Sequence, residues 1–181
     1  MRKQLRMGLG ACVAVMIAIV AHEPLRSASG PKSIALRPLG VYQTGLYDEG
    51  AVEIAAYDPK SRRALMTLAE RPVIRIVDIS DPGTPVEIEP AIDLRPWGDD
   101  ARATSVAVHD GLVAAALPRG EDDTAPGLVL FFEARTSQFL AEVTVGALPD
   151  MVTFSPDGHL VLTANEGQPN DDYTFDRAHY Q

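Results

Sequence analysis

The acidic side chains near the end of the sequence have residue types and spacing that could do chemistry. The loop Glu166-Gly-Gln-Pro-Asn-Asp-Asp-Tyr173 contains Glu166, Asn170, Asp171 and Asp172. Calcium takes about 6–8 oxygen ligands of this kind. However, the loop lacks the length and the alternating ligand positions of an EF-hand. Turn capping, in which Asp and Asn side chains accept hydrogen bonds from nearby backbone N–H groups, is therefore the stronger expectation.

The elements that must position this loop are short apolar runs bounded by Gly, Pro and Asp, which is typical of β-strands. No long stretch after residue 30 shows apolar residues at helical spacing. The predicted strands are residues 52–57, 64–68, 73–79, 86–94, 105–108, 112–117, 128–132, 139–145, 151–154 and 160–164.

Three tight turns recur at the same place in this series, at Asp58, Asp110 and Asp157. Each turn joins the first two strands of a unit, and a unit has four strands. A four-stranded unit that recurs about every 40–50 residues is typical of a β-propeller blade. A β-sandwich also has short strands, but it does not explain the recurrence. The sequence therefore predicts an all-β fold, an incomplete propeller of about two and a half blades with four antiparallel strands per blade.

A propeller closes its ring with about 4–8 blades, so we expect residues 30–181 to be the N-terminal, truncated part of a longer propeller domain. Residues 34–42 precede the first unit. They fit the outer strand of the last blade, which would close the ring.

When the units are aligned on their turns, Glu53, Ser105 and Asp150 occupy one equivalent position at the start of the first strand. Glu70 and Glu166 follow the second strand of their units. Glu53, Asp150 and Glu166 could therefore form a carboxylate ring that binds Ca2+ together with the acidic loop. The candidate metal ligands are Glu53, Asp150, Glu166, Asn170, Asp171 and Asp172.

Catalytic chemistry has little support in the sequence. His109 and His159 lie in tight turns, at the end opposite the carboxylates, and neither has a serine and an acid at suitable spacing. No glycine-rich phosphate loop follows a strand, and no Cys or His pair has zinc spacing. We assign no catalytic residue. Trp97, in a loop, is expected to pack between blades in preference to stacking on a ligand.

The N-terminus has the pattern of a secretory signal, which we assign to residues 1–29. Arg2, Lys3 and Arg6 precede the uncharged run 7–21, and the small residues 27–29 offer a cleavage region. A transmembrane anchor is the rival interpretation, but the run is shorter than the ~20 residues that span a bilayer. A buried N-terminal helix is a third possibility.

Composition limits the partners. The 181 residues carry a net charge of −9, so they lack the basic stripe that nucleic acid requires. The single Cys rules out an internal disulfide. We therefore expect no nucleic-acid partner, and membrane contact only through the signal segment or an anchor outside this chain.

Three stretches resemble the choice-of-anchor I family of secreted bacterial propeller proteins. They are AVEIAAYD at 51–58, VDISDP at 77–82 and the long run 146–173, in which VLTANEGQPNDDY at 161–173 is the most specific part. The Ser-Pro-Asp-Gly turn alone is common to YVTN-type and other propellers. The resemblance covers residues about 34–176, roughly the front third of a family domain. After residue 176 the chain departs from the family pattern.

The resemblance implies an exported protein in the periplasm, at the bacterial cell surface or outside the cell. Within the family, members are labelled alkaline-phosphatase-like or mesenchyme-specific cell-surface glycoprotein-like. We expect a non-catalytic propeller module that binds an extracellular protein or polymer. The alternative is the N-terminal part of a metal-dependent phosphoesterase. That chemistry would need two metals or an activated nucleophile, and the residues indicate neither.

Overall fold

The computed structural model describes residues 14–19, 34–47, 51–69, 71–120, 123–167, 169–170 and 173–174. These residues form strands and one short 3-10 helix, Arg95–Trp97. The strands are β1 Ala14–Ile19, β2 Arg37–Gln43, β3 Ala55–Asp58, β4 Arg63–Thr67, β5 Val73–Asp78, β6 Val86–Asp93, β7 Ser105–His109, β8 Leu112–Arg119, β9 Ala125–Glu133, β10 Phe139–Ala147, β11 Pro149–Phe154 and β12 Val161–Asn165.

The strands form four antiparallel sheets, and in each sheet the hydrogen-bonded neighbours follow in chain order. Sheet I is β1–β2, sheet II is β3 to β6, sheet III is β7 to β10 and sheet IV is β11–β12. The prediction of an all-β fold with four-stranded antiparallel sheets is confirmed. Every predicted strand is present. The largest differences at strand starts are at β3, which begins at residue 55 instead of 52, and at β9, which begins at residue 125 instead of 128.

Side chains alternate across sheet II, as a pleated strand requires. In β4, Leu65 faces sheet III and belongs to the larger apolar cluster, whereas Met66 faces the opposite way. Leu65, Leu130 and Phe132 are all buried in the layer between sheets II and III. This apolar layer holds the two four-stranded sheets face to face.

The other face of sheet III is lined with small side chains. Ala114 and Ala116 of β8 pack with Val129 of β9 against Val152 of sheet IV. Because alanine side chains are short, the two sheets approach closely there. Sheets II, III and IV therefore stack in chain order.

Strand β2 covers the face of sheet II that points away from sheet III. Tyr42 packs on Met66 and Val77, and a Cβ built at Gly40 would overlap the Pro82 carbonyl oxygen of the β5–β6 turn. Only glycine fits at this close approach. β2 therefore lies opposite the later strands of sheet II, a position compatible with the outer strand of a preceding blade.

The first strands of the three sheets are neighbours, with β3 contacting β7 and β7 contacting β11. Their hairpin turns lie along one edge, which we call the turn rim: residues 58–63, 109–112 and 154–161. The Lys60 ammonium lies 2.5 Å from Asp110 Oδ1 and donates to the Asp110 carbonyl oxygen at 3.0 Å. Gly158 lies directly against His109. This shared orientation is compatible with propeller blades.

Trp97 joins the connection between sheets II and III to the outer strands of sheet III. Its ring packs edge-on against Phe132 and tilted against Phe139, with centroids 5.9 and 5.1 Å apart. The indole N–H donates to Glu142 Oε2 at 2.7 Å. Trp97 thus packs between structural elements, as expected from the sequence.

Most of the predicted signal segment, residues 1–29, lies outside the described residues, apart from β1, whose backbone pairs with β2. Signal function stays a prediction. Within the part of the chain that the structure describes, no helix has the length and apolar character to cross a membrane.

Candidate functional site

The described carboxylates of the predicted site lie at the edge opposite the turn rim, which we call the loop rim: residues 51–54, 104–105, 147–150, 165–167 and 169–170. Asp150 lies at the start of β11, and Glu166 follows β12, where its N–H donates to the Leu148 carbonyl at 2.9 Å. The structure therefore brings Asp150 and Glu166 to the same end of sheet IV, and both are exposed.

Glu53 lies on a different sheet. Its N–H donates to the Thr67 carbonyl at 3.3 Å just before β3, and its side chain is exposed. In sheet III the equivalent position is Ser105, which is 4% exposed and whose hydroxyl accepts the Val152 N–H at 3.2 Å. Ser105 therefore ties sheet III to sheet IV.

Asn170 is part of a local turn. Its side-chain amide donates to Thr174 Oγ1 at 2.9 Å, and its carbonyl accepts the Tyr173 N–H at 2.9 Å. The Asn170 side chain is thus a donor to another side chain, whereas turn capping would make it an acceptor of a backbone N–H. Glu70, Asp171 and Asp172 lie outside the described residues.

A metal centre is not assembled by the residues that the structure describes: none of their His, Cys, Asp and Glu side chains form a group of three placed to hold an ion. The calcium site of Glu53, Asp150, Glu166, Asn170, Asp171 and Asp172 stays a prediction.

A cleft of about 570 Å³ opens instead at the turn rim, between sheets II and III. Four basic and four acidic side chains contribute to its walls, together with Ser61, Gly111 and Leu112. The charged residues are Asp58, Lys60, Arg62, Arg63, Asp78, Asp110, Glu133 and Arg135. This cleft has no signal in the sequence, because its residues come from turns of two different sheets.

Three acids of the cleft, Asp78, Asp110 and Glu133, are held in their ionised form by hydrogen bonds. The Ser80 hydroxyl and N–H lower the pKa of Asp78, and the Lys60 ammonium lowers the pKa of Asp110. The Thr136 hydroxyl lowers the pKa of Glu133. A donor to a carboxylate favours the charged state, so these groups carry negative charge at neutral pH.

Asp58 has a structural role in the same wall. Its carboxylate is buried and accepts the Ser61 hydroxyl at 2.6 Å, the Ser61 N–H at 3.0 Å and the Lys60 N–H at 3.3 Å. These bonds close the β3–β4 turn. They therefore fix the backbone positions from which the side chains of Lys60 and the following arginines extend.

The basic side chains of the cleft differ in their hydrogen-bond acceptors. Arg63 Nη1 donates across to sheet III, to the carbonyls of Ala134 at 3.3 Å and Arg135 at 2.5 Å. Among the described residues, the guanidinium groups of Arg62 and Arg135 donate no hydrogen bond, and both are exposed. These two guanidinium groups interact with acids of the cleft through charge alone, Arg62 with Asp78 and Arg135 with Glu133.

Both histidines lie at the turn rim, where His109 is half-buried and His159 is exposed. His109 stacks near Phe154, with ring centroids 5.7 Å apart, and His159 is exposed in its turn. Neither ring makes a side-chain hydrogen bond to a serine or an acid within the described structure.

The sheets and their repeated orientation first define a class, that of all-β proteins built from consecutive four-stranded meanders. A family model, the choice-of-anchor I domain, matches residues 53–178. The chain belongs to the choice-of-anchor I family, which confirms the resemblance seen in the sequence. No curated protein matches the chain.

Family membership indicates a cell-surface anchoring-associated domain of a surface-associated bacterial protein. The match gives no support to the phosphoesterase alternative.

Proposed function

We propose that the chain is an exported, non-catalytic β-propeller module that binds an extracellular protein or polymer at the bacterial surface. The observation that carries the proposal is the linkage of successive sheets at both rims. Lys60 ties sheet II to sheet III at the turn rim, and Ser105 ties sheet III to sheet IV at the loop rim. Such cross-links hold neighbouring turns in fixed relative positions, which a recognition surface requires.

The surface supports binding more readily than catalysis. Both rims expose charged side chains, with Asp150 and Glu166 on one and Arg62 and Arg135 on the other. Rigid strands that display polar loops and turns are a common way to build a binding surface. The family match at residues 53–178 supports placement of this surface at the exterior of a bacterial cell.

Surface binding is tested by mixing the labelled full chain with washed bacterial cells and measuring bound protein against total protein. We expect saturable binding that excess unlabelled chain displaces. The matched control is Leu130→Asp, which places a charge in the buried layer and should unfold the sheets. Binding by this unfolded variant equal to that of the native chain would contradict a folded recognition surface.

The non-catalytic part is tested separately with p-nitrophenyl phosphate in the presence of Ca2+, Mg2+ or Zn2+. We expect no hydrolysis above the metal-only blank. Turnover that grows with protein concentration would favour the phosphoesterase alternative.

Export is tested by producing the chain in a bacterial host and comparing its mass in cytoplasmic and exported fractions. Cleavage after residue 29 should give an exported product that begins at Gly30. Replacing Arg2, Lys3 and Arg6 with Asp should retain the unprocessed chain in the cytoplasm.

A further inference from the structure

The turn-rim cleft combines guanidinium groups that donate no hydrogen bond with carboxylates that retain acceptor capacity. Arg62 and Arg135 stand in different sheets and both line it. Arg62 is fixed by its backbone: it has φ 56°, and its carbonyl accepts the Ile79 N–H at 3.0 Å. Arg135 is fixed in the same way, since its carbonyl accepts a bond from Arg63. The backbone positions of Arg62 and Arg135 are therefore set by the packing of the sheets.

The acids that line the same cleft accept internal hydrogen bonds, and the Arg135 N–H also contributes to Glu133. Asp78 Oδ1 accepts the Ser80 N–H at 2.7 Å and the Ser80 hydroxyl at 2.5 Å, and Asp110 Oδ1 takes the Lys60 ammonium. Glu133 Oε2 accepts both Thr136 donors at 2.6 Å. The second oxygen of each carboxylate makes no side-chain hydrogen bond to another described residue.

This combination selects one kind of ligand. A ligand with closely spaced anionic groups would place several charges against three ionised carboxylates, and like charges at short range repel. An uncharged ligand would leave the two guanidinium groups without the carboxylate or phosphate partner that their planar donors fit best. A ligand in which each anionic group is accompanied by several hydroxyl groups matches both sets.

We propose that this cleft binds an acidic saccharide unit, a uronate, whose carboxylate pairs with Arg62 and Arg135 while its hydroxyl groups donate to Asp78, Asp110 and Glu133. The inference rests on the proposed function and names the polymer class and the place where it binds. The open cleft of about 570 Å³ is in the size range of small-ligand sites.

The test uses digalacturonate as the probe and the full chain at physiological ionic strength, where the net charge of −9 is screened beyond about 8 Å. Binding is followed by NMR through the Nε–H signals of the arginines. We expect the signals of Arg62 and Arg135 to shift on titration. R62Q and R135Q should each weaken binding about tenfold or more, because each removes a charge-assisted bond.

Arg119→Gln is the matched control, since Arg119 is exposed at the far end of β8, away from the cleft. It should bind as the native chain does. The dimethyl ester of digalacturonate keeps the hydroxyl groups and loses both charges, so it should bind about tenfold more weakly than the acid. Inorganic phosphate should not compete at equal concentration.

Three results would overturn the proposal: no binding of digalacturonate, equal loss in the Arg119 and Arg62 variants, or equal competition by phosphate, which would indicate an anion site only. Failure of the uronate site and failure of the proposed function give different results. If the chain binds cells but R62Q and R135Q bind them equally well, the scaffold function stands and the uronate site does not.

Discussion

Gly158 of sheet IV lies directly against the imidazole of His109 in sheet III. A Cβ built on Gly158 would overlap ring atoms Cδ2 and Nε2 of His109. His109 in turn packs near Phe154, so the ring has little freedom to move aside. The contact brings two hairpin turns of the rim together without a hydrogen bond between them.

Gly158→Ala should therefore destabilise the fold. Alanine must adopt φ +72° there and also displace the His109 ring. Gly45→Ala is the matched control, because Gly45 has the same φ of +72° and no atom within 4 Å of its built Cβ. We expect Gly158→Ala to lower the free energy of unfolding by about 1–3 kcal/mol more than Gly45→Ala, measured by urea denaturation.

A double mutant isolates the ring contact. His109→Ala should remove most of the extra cost of Gly158→Ala. If the two glycine substitutions cost the same amount, the turns of sheets III and IV are not packed as described.

Tyr42→Phe should loosen the attachment of β2 to sheet II. The Tyr42 hydroxyl donates to Glu87 and accepts from Arg75 at 3.0 Å, and burial raises the pKa of this phenol. Losing the hydroxyl leaves part-buried partners unsatisfied, and we expect a loss of about 1–2 kcal/mol in the free energy of unfolding.

The control is Tyr57→Phe, since Tyr57 is half exposed and its hydroxyl makes no hydrogen bond within the described structure. Hydrogen exchange of the β2 amides is a second readout and should become faster in Tyr42→Phe alone. Equal exchange in the two variants would count against a role for this hydroxyl in anchoring β2.

Asp93 should titrate far below a free aspartate. Bonds from the Arg95 side chain, the nearest at 2.7 Å, and from the Arg95 N–H lower its pKa from 3.8 to about 2. Because the folded pKa is depressed, its stabilising contribution is present above the ordinary pKa. That contribution is lost as pH falls from about 4 towards 2. Carboxyl NMR should give the low midpoint, and Arg95→Gln should raise it. A midpoint unaffected by Arg95→Gln would refute the assignment.

Leu65→Ala should cost about 2–5 kcal/mol of unfolding free energy, because Leu65 is fully buried between sheets II and III. Leu160→Ala, at a position 63% exposed, should cost about 0.5 kcal/mol or less. Thermal melts followed by Trp97 fluorescence check both variants. Similar melting temperatures would show that the two sheets do not pack as one body.

Much of the fold could be predicted from local chemistry. Turn residues such as Asp58 and Asp157 accept hydrogen bonds from their own turns, so their effect is contained in a few consecutive positions. Alternation in β4 follows equally from neighbouring residues. The strand order needed no long-range information, because each strand pairs with its neighbour in the chain.

The turn-rim cleft could not be predicted in this way. Arg62 and Arg135 share a cleft only because two sheets pack together, and no pattern along the chain records that packing. The same limit applies to the predicted carboxylate ring. Repeat alignment places Glu53, Ser105 and Asp150 at one equivalent position. In the structure the Ser105 hydroxyl accepts the Val152 N–H instead of facing a ligand. Equivalent positions in a repeat share a location without sharing a role.

The strictly sequential pairing of strands also bears on how the chain acquires its structure. Sheet II is complete once β6 pairs with β5, and none of its strand pairs includes a residue of sheet III. A polypeptide emerging from the ribosome or a translocation pore can thus complete one meander at a time, with only short loops to close. Assembly in this order would leave few unpaired edges exposed to neighbouring chains during synthesis.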